Sequence, residues 1–177
     1  MKAILILFLK NILLIGISYG LFMFVFDLVF GIEFGLLKSV YRASLFGVSM
    51  SLILVLAQYY SLKKNGVTKF TSDNLKVKQS RILKSKLTKQ EIIKKLENDK
   101  RFTIIKIPES ENRIYLKTQT SFKSWGEKIT ITVRPLENEF NEYKITSRPA
   151  LSTTLADFGK NFQNVNRIEE LIINTDL

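Results

Sequence analysis

Two apolar runs joined by a short connection constrain this chain more than any other feature of it. Residues 12–30 carry one charged side chain, Asp27, close to the end of the run, and residues 43–60 carry none. Nineteen helical residues rise about 28 Å, roughly one hydrocarbon core. A backbone inside lipid must satisfy its own polar groups, so each run is expected to be a helix. Together they read as a transmembrane hairpin over residues 1–62, with Gly31, Glu33, Lys38 and Arg42 in the connection at 31–42. Tyr41 at one end of the second run, and Tyr59 and Tyr60 at the other, fit an interfacial aromatic belt. Lys2 and the apolar run after it also have the look of a cleavable signal. However, Lys10 and Asn11 interrupt the run and no small-x-small site follows, so residues 3–9 are expected to extend the first helix or lie in the interface.

Charge then sets the orientation. The chain has 27 Lys+Arg against 16 Asp+Glu, a net charge of +11, yet its mean hydropathy is +0.07. Eight of those net positive charges fall within residues 61–89, and the flanks are nearly balanced. The membrane-proximal Lys63, Lys64 and Lys69 begin this basic stretch, and Lys2 and Lys10 precede the first helix. By the positive-inside rule both termini are expected in the cytoplasm. The Ile-, Lys- and Asn-rich usage matches an AT-rich bacterial genome, which makes the expected membrane a bacterial inner membrane. Basic residues next to a membrane also attract anionic head groups, and the lipid bilayer is the first expected partner.

Beyond a basic juxtamembrane linker at 63–73, residues 74–177 read as a cytosolic α+β domain. Residues 75–84 alternate weakly. Thr88 and Glu91 form a capping-box pattern ahead of the apolar positions Ile92, Ile93 and Leu96. Runs at 102–107, 113–118, 127–134 and 142–148 alternate as strands, and a helix closes the chain from Asp157 or Lys160 to Ile173, with Phe158, Phe162, Val165, Ile168 and Ile172 as its stripe. The order (β)-α-β-β-β-β-α predicts a small antiparallel sheet with two flanking helices on one face.

Small residues mark the membrane helices: Gly16 and Gly20 in the first, and Ala43, Gly47 and Ser51 in the second. Either set allows close helix approach. With helices at 12–30 and 43–60 the two sets fall at different depths. They are therefore expected not to face each other within one hairpin, and to serve a homo-oligomer or no contact at all. Asp27 is expected to pair at the interface with Lys38 or Arg42.

In the domain, Phe122, Lys123 and Trp125 sit on a strand connection. Trp125 either folds back onto the sheet, with Gly126 making the turn, or projects toward a partner or the membrane interface. Around 146–161 a strand leads through a hydroxyl-rich loop into a helix. Asp157 or Asn161 would cap that helix, and Arg148 and Lys160 are the candidate contacts for an anion or a partner. With no His or Cys and no readable pairing of carboxylates, no catalytic, metal-binding or cofactor-binding residue is assigned, and an enzyme is not expected. No nucleic-acid motif is present in the basic stretch, and nucleic acid is not an expected partner. The functional expectation is a non-enzymatic protein-binding or scaffold module anchored in the membrane. The alternative is a module that binds anionic lipid or a small anion.

The C-terminal pattern Ser147, Arg148, then Asp157, Gly159, Asn161, then Arg167, Ile168 and Leu171 resembles the ending of a bacterial family of unknown function, strand–S-R, D-x-G-x-N, helix. The likeness covers about 25 residues, and the loop here is longer and contains Pro149. It implies no activity and no site.

Overall fold

The structure, a computed structural model, describes residues 2–32, 35–108, 111–120 and 124–173. The chain forms two compact units that divide between Leu75 and Lys76. The first holds helices α1 (Lys2–Val29) and α2 (Leu36–Lys64). Both are long and apolar enough to cross a membrane, with mean hydropathies of 2.3 and 1.8 over their most apolar windows.

The limits of these helices follow from capping rather than hydropathy. α1 ends where Gly31 takes φ +62°, with Gly31 N–H donating to Leu28 O and Ile32 N–H to Asp27 O at 2.9 Å. α2 ends the same way: Gly66 takes φ +83°, and Gly66 and Val67 donate to Lys63 O and Leu62 O. This is the Schellman arrangement, in which glycine supplies the left-handed turn that closes the last carbonyls. Leu62 and Val67 are both buried, which adds the apolar contact usual for that motif. Residues 3–9 extend α1, as expected, but α2 begins at Leu36, so Lys38 and Arg42 lie on the helix and not in a loop.

The shorter connection corrects the depth of the small residues. They do face each other within one hairpin. A Cβ added at Gly47 would meet Gly16 Cα at 3.0 Å and Ile12 O at 3.1 Å; one added at Gly16 would meet Ala43 O at 3.2 Å; one at Gly20 would meet Ala43 Cβ at 3.3 Å. Ser51 is fully buried in the same seam, and Tyr19 stacks on Phe46 with centroids 4.2 Å apart. Asp27 is buried and pairs with Arg42, Nη1 to Oδ2 3.7 Å, as one of the two expected partnerships. After α2 the chain stays ordered: Phe70 stacks on Tyr59 at 4.6 Å, Leu75 is buried, and Asn74 closes a turn on Lys69 O and Thr71 N–H.

The second unit is the expected α+β domain. It contains β1 (Gln79–Ser85), α3 (Lys89–Asn98), β2 (Phe102–Lys106), β3 (Arg113–Thr118), β4 (Glu127–Pro135), β5 (Asn141–Pro149) and α4 (Lys160–Ile173). The sheet order is β1-β5-β4-β3-β2, and every pairing is antiparallel. β2 to β5 thus form a meander, and β1 pairs with its last strand. The capping box at the start of α3 forms as read, with both Thr88 and Glu91 engaged.

Strand alternation sends one set of side chains into the core. Ile114, Leu116, Ile129, Ile131, Tyr143 and Ile145 meet Ile92 and Leu96 of α3 and Val165, Ile168 and Ile172 of α4. Burial and a hydrogen bond to Leu87 O hold the Tyr143 hydroxyl inside this core, and burial pushes its pKa up to about 12. Arg167 donates to Asp99 Oδ2 at 2.8 Å and to Glu170, tying the end of α3 to α4. Both helices lie on one face of the sheet, and within this unit its other face has no covering layer among the described residues.

Candidate functional site

The patterned segment at the β5–α4 connection forms a clasp. Asp157 accepts from Gly159 N–H at 3.2 Å, and from both Asn161 N–H and Asn161 Nδ2 at 2.8 Å. Asn161 then accepts from Ser147 Oγ at 2.6 Å, and Asn164 Nδ2 donates to that same hydroxyl. All of these groups are buried. Gly159 adopts φ +70° so that the chain can enter α4 under Asp157. Asp157 is therefore the cap, and Asn161 a buried link. The C-terminal pattern that resembles the family ending is largely this clasp, together with the Arg167–Asp99 bridge.

That arrangement does not favour the anion site expected at this helix start, because a carboxylate of the chain already accepts from the first-turn N–H groups. Nor do Arg148 and Lys160 converge. Ser147 points to α4, so its neighbour Arg148 lies on the opposite face of β5, exposed, away from Lys160.

Trp125 does not fold back. It is 75% exposed, at the lip of a hollow of about 320 Å³ between the β3–β4 and β5–α4 connections. Gly126 makes the turn at φ +89°, and a Cβ there would meet Thr118 O at 3.0 Å. Glu127 lines the hollow with only 4% exposure, and its carboxylate accepts from the hydroxyls of Thr118 and Ser124. Exposed Leu151 and the small residues Ala150, Thr153 and Ala156 complete the rim. Phe122 and Lys123, proposed alongside Trp125, lie outside the described residues. Among the described residues no group of three or more acidic side chains is placed to hold a metal.

The uncovered sheet face carries a feature that the sequence reading missed. Along the chain residues 90–177 are nearly neutral, but the domain's charge is separated in space. Strand positions facing away from the helices bear Lys84 on β1, Lys144 and Arg148 on β5, Lys128 and Arg134 on β4, Arg113 and Lys117 on β3 and Lys106 on β2. Glu142 is the one acidic residue among those positions. In register, Lys117 sits opposite Lys128, and Lys128 opposite Arg148, a row of three cations across three strands. Beside it runs a row of hydroxyls, Tyr115, Thr130, Thr146 and Ser80, then Arg113, Thr132 and Lys144. The signal was present in the alternation of each strand, but it appears only when the outward positions of neighbouring strands are added together.

Lys63 and Lys64 in the last turn of α2, and Lys69 beyond it, are all exposed, and Lys63 Nζ lies 6.0 Å from the centre of the Tyr59 ring. No protein-family model matches the chain, and no curated protein is significantly similar to it.

Proposed function

We propose that this chain is a membrane-anchored binding module, without catalytic activity, that presents its α+β domain to a protein partner at the cytoplasmic face of a bacterial inner membrane. The hairpin crosses the membrane twice, both termini are cytoplasmic, and Lys63, Lys64 and Lys69 hold that orientation. The observation that carries the partner reading is Trp125, a large aromatic left in solvent beside a hollow. Tryptophan is among the residues most enriched at protein interfaces and binding hot spots. Supporting a role in binding over chemistry, the Glu127 and Asp157 carboxylates that line the hollow are engaged inside the domain as hydrogen-bond acceptors.

The test is a photo-crosslinking residue at Trp125 and, in a separate chain, at Lys94 on the exposed side of α3. A discrete adduct in native membranes from position 125, absent from position 94 and identified by mass spectrometry, is the expected result. A chain recovered only by itself from both positions would overturn the reading.

A further inference from the structure

We infer that the uncovered face of the sheet docks on the anionic surface of a phospholipid bilayer. The row Lys117–Lys128–Arg148 is the starting point. Like charges directly opposite one another on neighbouring strands repel, and such pairs destabilise a sheet. None of the three has an ion-pair partner among the described residues. With strands about 4.8 Å apart, the row spans roughly 10 Å, and the hydroxyl row through Thr130 and Thr146 lies next to it. Cations and hydroxyls at this spacing match a field of phosphate groups.

Two further observations choose the bilayer among polyanions. Sheets that bind nucleic acid stack bases on aromatic side chains. This face offers one aromatic, Tyr115, and its hydroxyl already donates to Glu111 at 3.1 Å. The face also lacks an exposed tryptophan of the kind that anchors a protein interface, since Trp125 lies on the β3–β4 connection, outside the face's strand positions. Meanwhile the chain supplies its own membrane anchor. Fourteen residues separate the end of α2 from the start of β1, a reach of at most about 50 Å even when fully extended. A face with weak affinity for lipid therefore meets it at high effective concentration.

This inference is independent of the Trp125 reading, and its test uses different positions. The chain contains no cysteine, so Thr130→Cys gives a single site for an environment-sensitive fluorophore at the centre of the face. Lys94→Cys on α3 is the control. The full chain is reconstituted into vesicles of phosphatidylcholine alone or with phosphatidylglycerol. At position 130 the emission is expected to shift to the blue in anionic vesicles and return in high salt, while position 94 does not respond. Changing Lys117, Lys128 and Arg148 together to Gln should lower the docked-to-undocked ratio about a hundredfold. The same changes made at Lys94 and Lys100 should leave it unaltered. Because the triple change removes repulsion, its circular dichroism and unfolding midpoint should match or exceed the parent's, which separates lost docking from lost folding. Identical spectra at position 130 in the two kinds of vesicle would overturn the inference. So would a response in phosphatidylcholine vesicles to inorganic phosphate, to a short oligonucleotide or to an acidic polypeptide that anionic lipid does not displace.

Discussion

Ile17 and Ile168 are the same residue on two helices of the same chain, and their surroundings are opposite. Ile17 on α1 is 61% exposed, whereas Ile168 on α4 is fully buried among the strands. Polar residues reverse the comparison: in the hairpin Asn11, Asp27, Ser51 and Gln58 are buried, while the outward strand positions of the domain are dominated by lysine, arginine and threonine. On the proposed reading each unit obeys one rule, that a surface should match its solvent, but the solvents differ. The domain gains by removing apolar surface from water. On the proposed reading the hairpin lies in lipid and gains nothing of that kind between its helices, because lipid is as apolar as leucine, so it relies on close backbone approach through small residues.

The largest effect is therefore expected where the hairpin has no room. Gly47→Leu would drive a side chain into the backbone of α1 at Ile12 and Gly16. The readout is a disulfide between Gly20→Cys and Ala43→Cys, whose Cβ atoms would be close enough to bond. Oxidation should link the pair efficiently inside one chain and should fail when Gly47→Leu is added. Unchanged linkage would break the account of the seam.

Next, the two isoleucines can be compared directly. Ile168→Ala should cost the domain about 2–5 kcal/mol in urea unfolding, the usual penalty for a buried large-to-small change. Ile17→Ala should leave both the domain's unfolding and the Gly20–Ala43 linkage near their parent values. A loss at Ile17 equal to that at Ile168 would remove the distinction between the two units.

A smaller loss is expected at the clasp. Asn161→Ala leaves the buried Ser147 hydroxyl without its acceptor and removes one of the donors to the Asp157 carboxylate, and should cost about 1–3 kcal/mol. The pH dependence is finer still. Burial pushes the Asp99 carboxyl up, but hydrogen bonds from Arg167 and the Arg101 N–H outweigh it and hold the group below its ordinary 3.8. Its stabilising contribution is then complete above that ordinary value and lost as pH falls through the lower folded value. Below about pH 4 the parent domain should lose stability more steeply than an Arg167→Gln variant, as followed by unfolding midpoints. An identical acid limb in the two proteins would show that the Asp99–Arg167 bridge contributes nothing.

Much of this architecture was legible in the chain. The apolar runs marked both helices, and the alternation Ile129, Ile131, Val133 and the T-x-x-E at Thr88 marked strand and cap within a residue or two. The end of α1 falls within one residue of the sequence expectation, but charge misleads as a boundary at the start of both helices and at the end of α2. Lys38 and Arg42 lie on α2, and the stop signals were the glycines at 31 and 66. That shift of a few residues changed which small residues meet. The candidate site was less legible for a different reason. Trp125 was identified, but whether it folds back depends on long-range packing that no local pattern encodes. The cation row depends on register between strands distant in sequence, so Lys117, Lys128 and Arg148 become neighbours only once the sheet is formed.

The central claim is that the hairpin crosses a membrane twice and holds the domain on the cytoplasmic side. Single cysteines at Leu37, 89% exposed in the first turn of α2, and at Lys94 in the domain test it in an otherwise cysteine-free chain. An impermeant maleimide applied to intact spheroplasts should label position 37 and leave position 94 untouched until the membrane is opened. Labelling of both positions in intact spheroplasts, or of neither until the membrane is opened, would contradict the account.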